Sequence, residues 1–207
     1  GRLLARQQKI EADLVMAVPD SGIPAAIGYA EASGIPYGEG LIKNKYIGRT
    51  FIQPTKEMRE DSVRIKLSPI RYNIEGKRLI VIDDSIVRGT TCRRIVGQLR
   101  DSGAREVHVC ITSPPVRYSC YFGIDTPYRE NLIAVQKTEA EIQDFLGADS
   151  LTYLSEDGLS AACGGRRLYC RACFDGEYPM EVPAGARPSG FCKEGKAPDL
   201  PRPDARM

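Results

Sequence analysis

The stretch that most restricts how this chain can fold is RLIVIDDSIVRGTTCRRIVGQL, Arg78 to Leu99. Four consecutive apolar residues, Leu79 to Ile82, follow the basic pair Lys77–Arg78 and stop abruptly at two acids, Asp83 and Asp84. A short apolar run of this kind, without alternation, reads as a strand covered on both faces. Ser85, Gly89, Thr90 and Thr91 follow the acids. A helical pattern then begins, with Thr90 or Thr91 as its cap, Ile95, Val96 and Leu99 on one face, and Gly103 at its end.

The same alternation runs through residues 13–111. DLVMAVP (13–19) reads as a strand that ends in the turn DSG. IPAAIGYAEASG then reads as a helix with Pro24 near its start and Gly34 as its stop, and EVHVCIT (106–112) is a further strand. Strand and helix in turn predict an α/β fold, a mostly parallel sheet flanked by helices. Residues 40–70 break the pattern: they are basic, carry Gly48 within YIGRTF, and suit a solvated hairpin or a mobile loop over a site. The chain opens at Gly1 inside what reads as a helix, GRLLARQQKIEAD, so a fragment of a longer protein is expected. Residues 1–180 are expected to form one domain. Residues 181–207, rich in Pro and Gly and poor in aliphatics, are expected to be a disordered tail.

Composition narrows the function. The 207 residues are 42% hydrophobic and 27% charged with a net charge of +2, which gives no broad basis for binding nucleic acid or a membrane surface. No apolar run reaches the length of a membrane span and no secretory leader is visible, so a cytoplasmic enzyme is the expectation. His108 is the one histidine and lies in a strand-like run, where a structural role is expected. The seven cysteines read as thiols or metal ligands and not as a disulfide framework.

The chemistry gathers at the opening stretch. Ligands of an open parallel sheet bind beyond the carboxyl ends of its strands, where Asp83 and Asp84 fall. The loop after them leads into a helix N-terminus, whose free N–H groups and positive dipole end favour a phosphate. The pattern is not a Walker loop, since GxxxxGK[ST] is absent. An acid pair that merely caps a helix is the simpler reading. Four apolar residues, two acids and S-x-x-x-G-T-T together point instead to a ribose 5-phosphate, its diol on the acids and its phosphate in the loop.

VIDDSIVRGTT resembles the phosphoribosyl diphosphate (PRPP) signature of type I phosphoribosyltransferases. Together with VPDSGIPAAIGYAEASGIPYGEGLIKNKYIGRTFIQP it resembles, in one register over about residues 1–180, the glutamine PRPP amidotransferase family. The resemblance implies a type I phosphoribosyltransferase fold with a flexible lid loop. It implies that Asp83 and Asp84 bind the ribose hydroxyls and the Mg²⁺ region, and that Ser85, Val87, Arg88, Gly89, Thr90 and Thr91 cradle the 5-phosphate. Asp20, Ser21 and Gly22, in VPDSG, match the pyrophosphate loop, with Ser21 near the metal. Lys45, Tyr46, Arg49 and Thr50, in KNKYIGRTF, match the lid and are the catalytic candidates. The implied reaction is attack of ammonia on C1 of PRPP, giving 5-phosphoribosylamine and pyrophosphate, the first committed step of purine biosynthesis. In the longer protein an upstream glutaminase domain would draw the ammonia from glutamine.

CRAC (170–173) is a CxxC motif, a modest hint of zinc or iron–sulfur ligation. In the iron–sulfur branch of the family, YSCYFGID and CRACFDGEYP match the ligand segments. Cys120, Cys170 and Cys173 would then hold three corners of a [4Fe–4S] cluster, with the fourth ligand upstream. Cys92, Cys110, Cys163 and Cys192 have no such match and are expected to be plain thiols. The resemblance further implies purine nucleotide feedback inhibitors and a homo-oligomer. Two alternatives remain: another PRPP-dependent phosphoribosyltransferase, and a non-catalytic PRPP-binding regulator. Against the second stands the lack of a helix-turn-helix or basic recognition helix.

Overall fold

A computed structural model describes residues 1–44, 67–124, 126–165, 169–182 and 186. Four parallel strands form its main sheet: β1 (Leu14–Ala17), β4 (Arg78–Asp83), β5 (Glu106–Ile111) and β6 (Ser150–Tyr153), in the order β1-β4-β5-β6. β2 (Leu41–Lys43) and β3 (Leu67–Pro69) form a separate antiparallel pair. The helices of ordinary length are α1 (Arg2–Gln7), α2 (Ile23–Ser33), α4 (Thr90–Asp101), α6 (Glu139–Leu146) and α7 (Glu156–Ala162). Single turns α3 (Arg71–Ile74), α5 (Ile133–Gln136) and α8 (Ala172–Asp175) complete the set.

The apolar run of β4 does what its composition requires. Leu79 and Val81 enter one apolar cluster, with Ile95, Val96 and Leu99 of α4 and Ile142 and Leu146 of α6. Ile80 and Ile82 enter the other, with Leu4 of α1 and Ala26, Tyr29 and Ala30 of α2. All four are at most 1% exposed. Burial at about 25 cal/mol per Å² on both faces is the main force holding this strand at the middle of the sheet.

Two aspartates set the register at the other end of the sheet. Asp13 accepts the Arg78 N–H at 2.8 Å and its guanidinium at 3.0 Å, tying the start of β1 to the start of β4. Asp149, just before β6, accepts the Val107 N–H at 2.6 Å and the Arg100 guanidinium at 2.5 Å. Each carboxylate satisfies a backbone donor at a strand start that would otherwise lack a partner.

The helix at residues 23–34 and the strands at 78–83 and 106–112 lie where the sequence places them, to within a residue. The first strand is shorter than 13–19. The opening helix stops at Gln7, where Gln8 turns to extended φ and ψ, and does not run to Asp13. β2 and β3 pair antiparallel at the two ends of the 40–70 stretch, which the sequence leaves open between a hairpin and a mobile loop; residues 45–66 lie outside the described residues. β6, α6 and α7 lie beyond the alternation read from the sequence. His108 has structural partners, Ser150 Oγ at 2.9 Å and Glu106 Oε2 at 3.2 Å. Most of the expected tail lies outside the described residues.

Candidate active site

β1 and β4 are neighbours and parallel, so the loops that leave their carboxyl ends lie side by side. The β1 loop turns back at once. Val18 N–H donates to Ile82 C=O at 2.8 Å and Gly22 N–H to Val18 C=O at 3.1 Å, and α2 starts directly after Gly22. The Pro19–Asp20 peptide bond is cis. A Cβ on Gly22 would lie 2.6 Å from the Ile82 carbonyl oxygen and 2.9 Å from that of Val18, so only glycine lets this loop close on β4. Asp20, Ser21 and Gly22 are thereby brought beside the end of the acid-bearing strand.

The two acids differ. Asp83 is 9% exposed, whereas Asp84 is exposed. Asp83 Oδ1 accepts the Asp84 N–H at 2.9 Å, and Asp84 Oδ1 accepts the Ser85 hydroxyl at 3.2 Å. Burial pushes the Asp83 carboxyl up to about 7; the Asp84 N–H opposes this and the Asp84 charge adds to it. Burial therefore disfavours the charged form of Asp83. The Thr112 hydroxyl, past the end of β5, donates to the Asp83 carbonyl at 3.3 Å.

The loop from Ser85 to Gly89 is anchored from within by Ile86, 2% exposed, and by the Val87 carbonyl, which accepts the Ile133 N–H at 2.9 Å. Gly89, at φ +74, caps α4, and no side chain hydrogen-bonds into that cap. This corrects the expectation that Thr90 or Thr91 would cap the helix: both lie inside its first turn. The first-turn N–H groups therefore have no side-chain cap competing for them, which suits a phosphate. Arg88 and Thr90 are exposed at the same rim.

Lys43, at the end of β2, opens the KNKYIGRTF segment but is not among the candidate residues named in it. Its ammonium meets Asp20 Oδ2 at 2.5 Å. Lys45, Tyr46, Arg49 and Thr50 lie outside the described residues. A cavity of about 270 Å³ lies past the Thr112 loop, lined by Pro114, Arg117, Tyr153 and Phe174 among others; none of the candidate PRPP-binding residues lines it.

The two cysteine segments are adjacent. The Cys173 carbonyl accepts the N–H groups of Arg117 and Tyr118 at 2.9 and 3.1 Å, and the Tyr178 hydroxyl donates to the Ser119 carbonyl at 2.7 Å. Burial, and then the proximity of Cys120 and Cys170, pushes the Cys173 thiol up to about 11. Cys120 and Cys170 are thus near enough to Cys173 to raise its thiol, and thiols are the donor type that iron–sulfur clusters take. Among the described residues no three His, Cys, Asp or Glu side chains are arranged to hold a single metal ion. Oxygen donors at Asp83, Asp84 and Ser21 are the type Mg²⁺ takes. Cys92 and Cys110 are buried thiols held up at about 12, chiefly by burial; Cys163 is exposed, and Cys192 lies outside the described residues.

No protein-family model matches the chain. Individual relatives do. The amidophosphoribosyltransferase of Synechocystis is 56% identical over 196 residues, 94% of this chain and 39% of that protein. That of Archaeoglobus fulgidus is 57% identical over 186 residues, 88% of this chain and 41% of that protein. The solved glutamine PRPP amidotransferase of B. subtilis, complexed with ADP and GMP, superimposes with a TM-score of 0.81 at 53% identity, over 90% of this chain and 42% of that one. The chain belongs to the amidophosphoribosyltransferase family. It spans about two fifths of the length of the curated relatives it matches. Its four-stranded parallel sheet and flanking helices have the type I phosphoribosyltransferase fold and superimpose on about two fifths of the B. subtilis chain.

Proposed function

We propose that this chain binds PRPP and transfers ammonia to its C1, giving 5-phosphoribosylamine and pyrophosphate, as part of a longer amidophosphoribosyltransferase that draws the ammonia from glutamine. The observation that carries the reading is the pair of loops on adjacent parallel strands. One presents a buried acid, Asp83, beside an exposed one, Asp84. The other closes through Gly22 next to them.

In this reading Asp83 and Asp84 accept the ribose hydroxyls. The turn from Ser85 to Thr91 receives the 5-phosphate, and Asp20, Ser21 and Gly22 flank the pyrophosphate. The resulting three-point hold orients C1 toward the incoming amine, and such positioning supplies much of the rate in a reaction that needs little proton transfer. Asp83, Asp84 and Ser21 would hold Mg²⁺, whose charge would stabilise the pyrophosphate group when bound. Lys45, Tyr46, Arg49 and Thr50 are assigned to shield the reacting sugar from water. Cys120, Cys170 and Cys173 are assigned to a [4Fe–4S] cluster completed by a ligand from the longer protein. Purine nucleotides as feedback ligands, a homo-oligomer and a cytoplasmic location belong to the same reading. The B. subtilis relative with bound ADP and GMP supports the first of these.

The test is pyrophosphate release from PRPP and Mg²⁺ with ammonium as the sole nitrogen source. The chain is expected to release it without glutamine, and the longer protein with either source. Release that depends on an added purine or pyrimidine base, with none from ammonium, would replace the amidotransferase reading by another phosphoribosyltransferase.

A further inference from the structure

Three aromatic rings gather beside the cysteine segments, and none of them belongs to either apolar cluster of the sheet. The Tyr178 ring meets that of Tyr121 edge-on, with 5.4 Å between centroids and 66° between planes, and lies 6.1 Å from that of Phe122. Tyr121 and Phe122 directly follow Cys120, whereas Tyr178 stands beyond Cys173. Gly176, at φ +79, turns the chain back between them, and a Cβ there would lie 2.8 Å from the Tyr118 ring. The Tyr178 hydroxyl then donates to the carbonyl of Ser119, the residue before Cys120, at 2.7 Å. Burial raises this hydroxyl above its ordinary value, and Tyr121, Cys120 and Cys173 add to the rise, so the phenol lies beside both cysteines. The Phe122 N–H donates to Cys120 Sγ at 3.4 Å, the kind of amide–sulfur bond that tunes iron–sulfur clusters.

Packing alone does not explain the arrangement. Phe122 is 38% exposed, so the rings sit at the surface and add little to the burial that holds the sheet. What the Tyr178 hydroxyl does is join the two cysteine segments a second time, on the far side of α8 from the Cys173 carbonyl. We infer that Tyr178 is the closure of the cluster site: its hydroxyl latches the CxxC segment to the carbonyl beside Cys120, and its ring, with Tyr121 and Phe122, keeps solvent from the sulfurs. The inference rests on the cluster reading above. Tyr178 is a positioning residue in this role and is not a ligand. The apolar shell around a metal site governs the access of water to it. A latch made by one hydrogen bond opens locally, and solvent then reaches the sulfurs in proportion to the open fraction.

The experiment assembles the longer protein and its Tyr178→Phe and Tyr178→Leu variants with iron and sulfide in the absence of oxygen. It then follows the loss of visible absorbance in air-saturated buffer and, separately, the removal of iron by a water-soluble chelator. PRPP binding by calorimetry reports that each variant is folded. Both variants are expected to hold as much iron and sulfide as the unaltered protein before exposure. Tyr178→Phe keeps the ring and loses the latch, and is expected to bleach and to yield iron about fivefold faster, the loss of one neutral hydrogen bond. Tyr178→Leu loses the ring as well and is expected to be faster still. An unaltered rate in Tyr178→Phe overturns the latch, and an unaltered rate in Tyr178→Leu overturns the shield; both leave the cluster reading standing. An iron deficit in Tyr178→Phe before exposure assigns the residue to assembly of the cluster and overturns the closure. An unaltered protein that takes up no iron overturns the cluster reading and the inference together.

Discussion

Asp83 and Asp84 are neighbours in sequence and opposites in environment, and variants should separate them. The buried Asp83 carboxyl, near 7 in the fold and near 4 in an unfolded chain, favours the folded state while protonated. That contribution is complete below pH 4 and is lost as pH rises toward 7. In chelator at pH 8, Asp83→Asn is therefore expected to be more stable than the parent chain by on the order of a few kcal/mol and to melt higher, while Asp84→Asn leaves the melting temperature unchanged. Both are expected to weaken PRPP binding roughly 10–150-fold if each holds a hydroxyl. Thermal melts from pH 5 to 8 check the first statement and calorimetry the second; a lower melting temperature for Asp83→Asn at pH 8 would refute the burial argument. A site at a strand end invites the expectation that neither substitution touches stability. The sequence shows that two acids follow a buried strand, but their adjacency on alternating faces hides which one is enclosed. That depends on Cys92 and the rest of α4 packing over one face, a tertiary fact.

At the scale of single elements, two glycines control the site for different reasons. At Gly89 an added Cβ meets the ends of two side chains, Ile133 Cδ1 at 2.8 Å and Phe145 Cε1 at 3.1 Å, and the φ of +74 disfavours any L residue. At Gly22 it meets backbone carbonyl oxygens, which cannot rotate away. Gly89→Ala is expected to cost about 1–2 kcal/mol and Gly22→Ala more, with β1–β4 loop closure lost in the second. Urea titrations of both variants rank them; the reverse order would mean that the loop after β1 moves freely. The α6 cap is a separate matter: Thr138 and Glu141 form a reciprocal capping box, so Thr138→Ala is expected to cost about 1 kcal/mol without touching PRPP affinity. That helix is legible in the sequence, since Thr138 and Glu141 stand three apart before Ile142, Phe145, Leu146 and Gly147. The helix start at Gly89 was not legible in the same way. Thr90 and Thr91 have capping chemistry, and only the left-handed backbone at Gly89 shows that they lie one step too far along.

For the whole molecule, the two cysteine segments are tied to one another, the Cys173 carbonyl accepting the N–H groups of Arg117 and Tyr118. If the three thiols ligate a cluster, Cys120→Ser, Cys170→Ser and Cys173→Ser in the longer protein are each expected to abolish its visible absorbance and lower its iron and sulfide content. A full complement of iron in all three would mean that the thiols serve packing alone. The order of the sheet carries a different consequence, one of timing. Asp13 and Arg78, which close the β1–β4 register, are 65 residues apart in the chain, and every other strand of the main sheet follows Arg78. At roughly 5–20 residues per second, β1 emerges from the ribosome several seconds before the strand it must pair with. During that interval its four apolar residues have no sheet to enter, and a chain stalled before Arg78 offers them to whatever binds exposed strands. Arrested nascent chains should therefore recruit a chaperone at Leu14–Ala17 until β4 clears the exit tunnel, and release it afterwards.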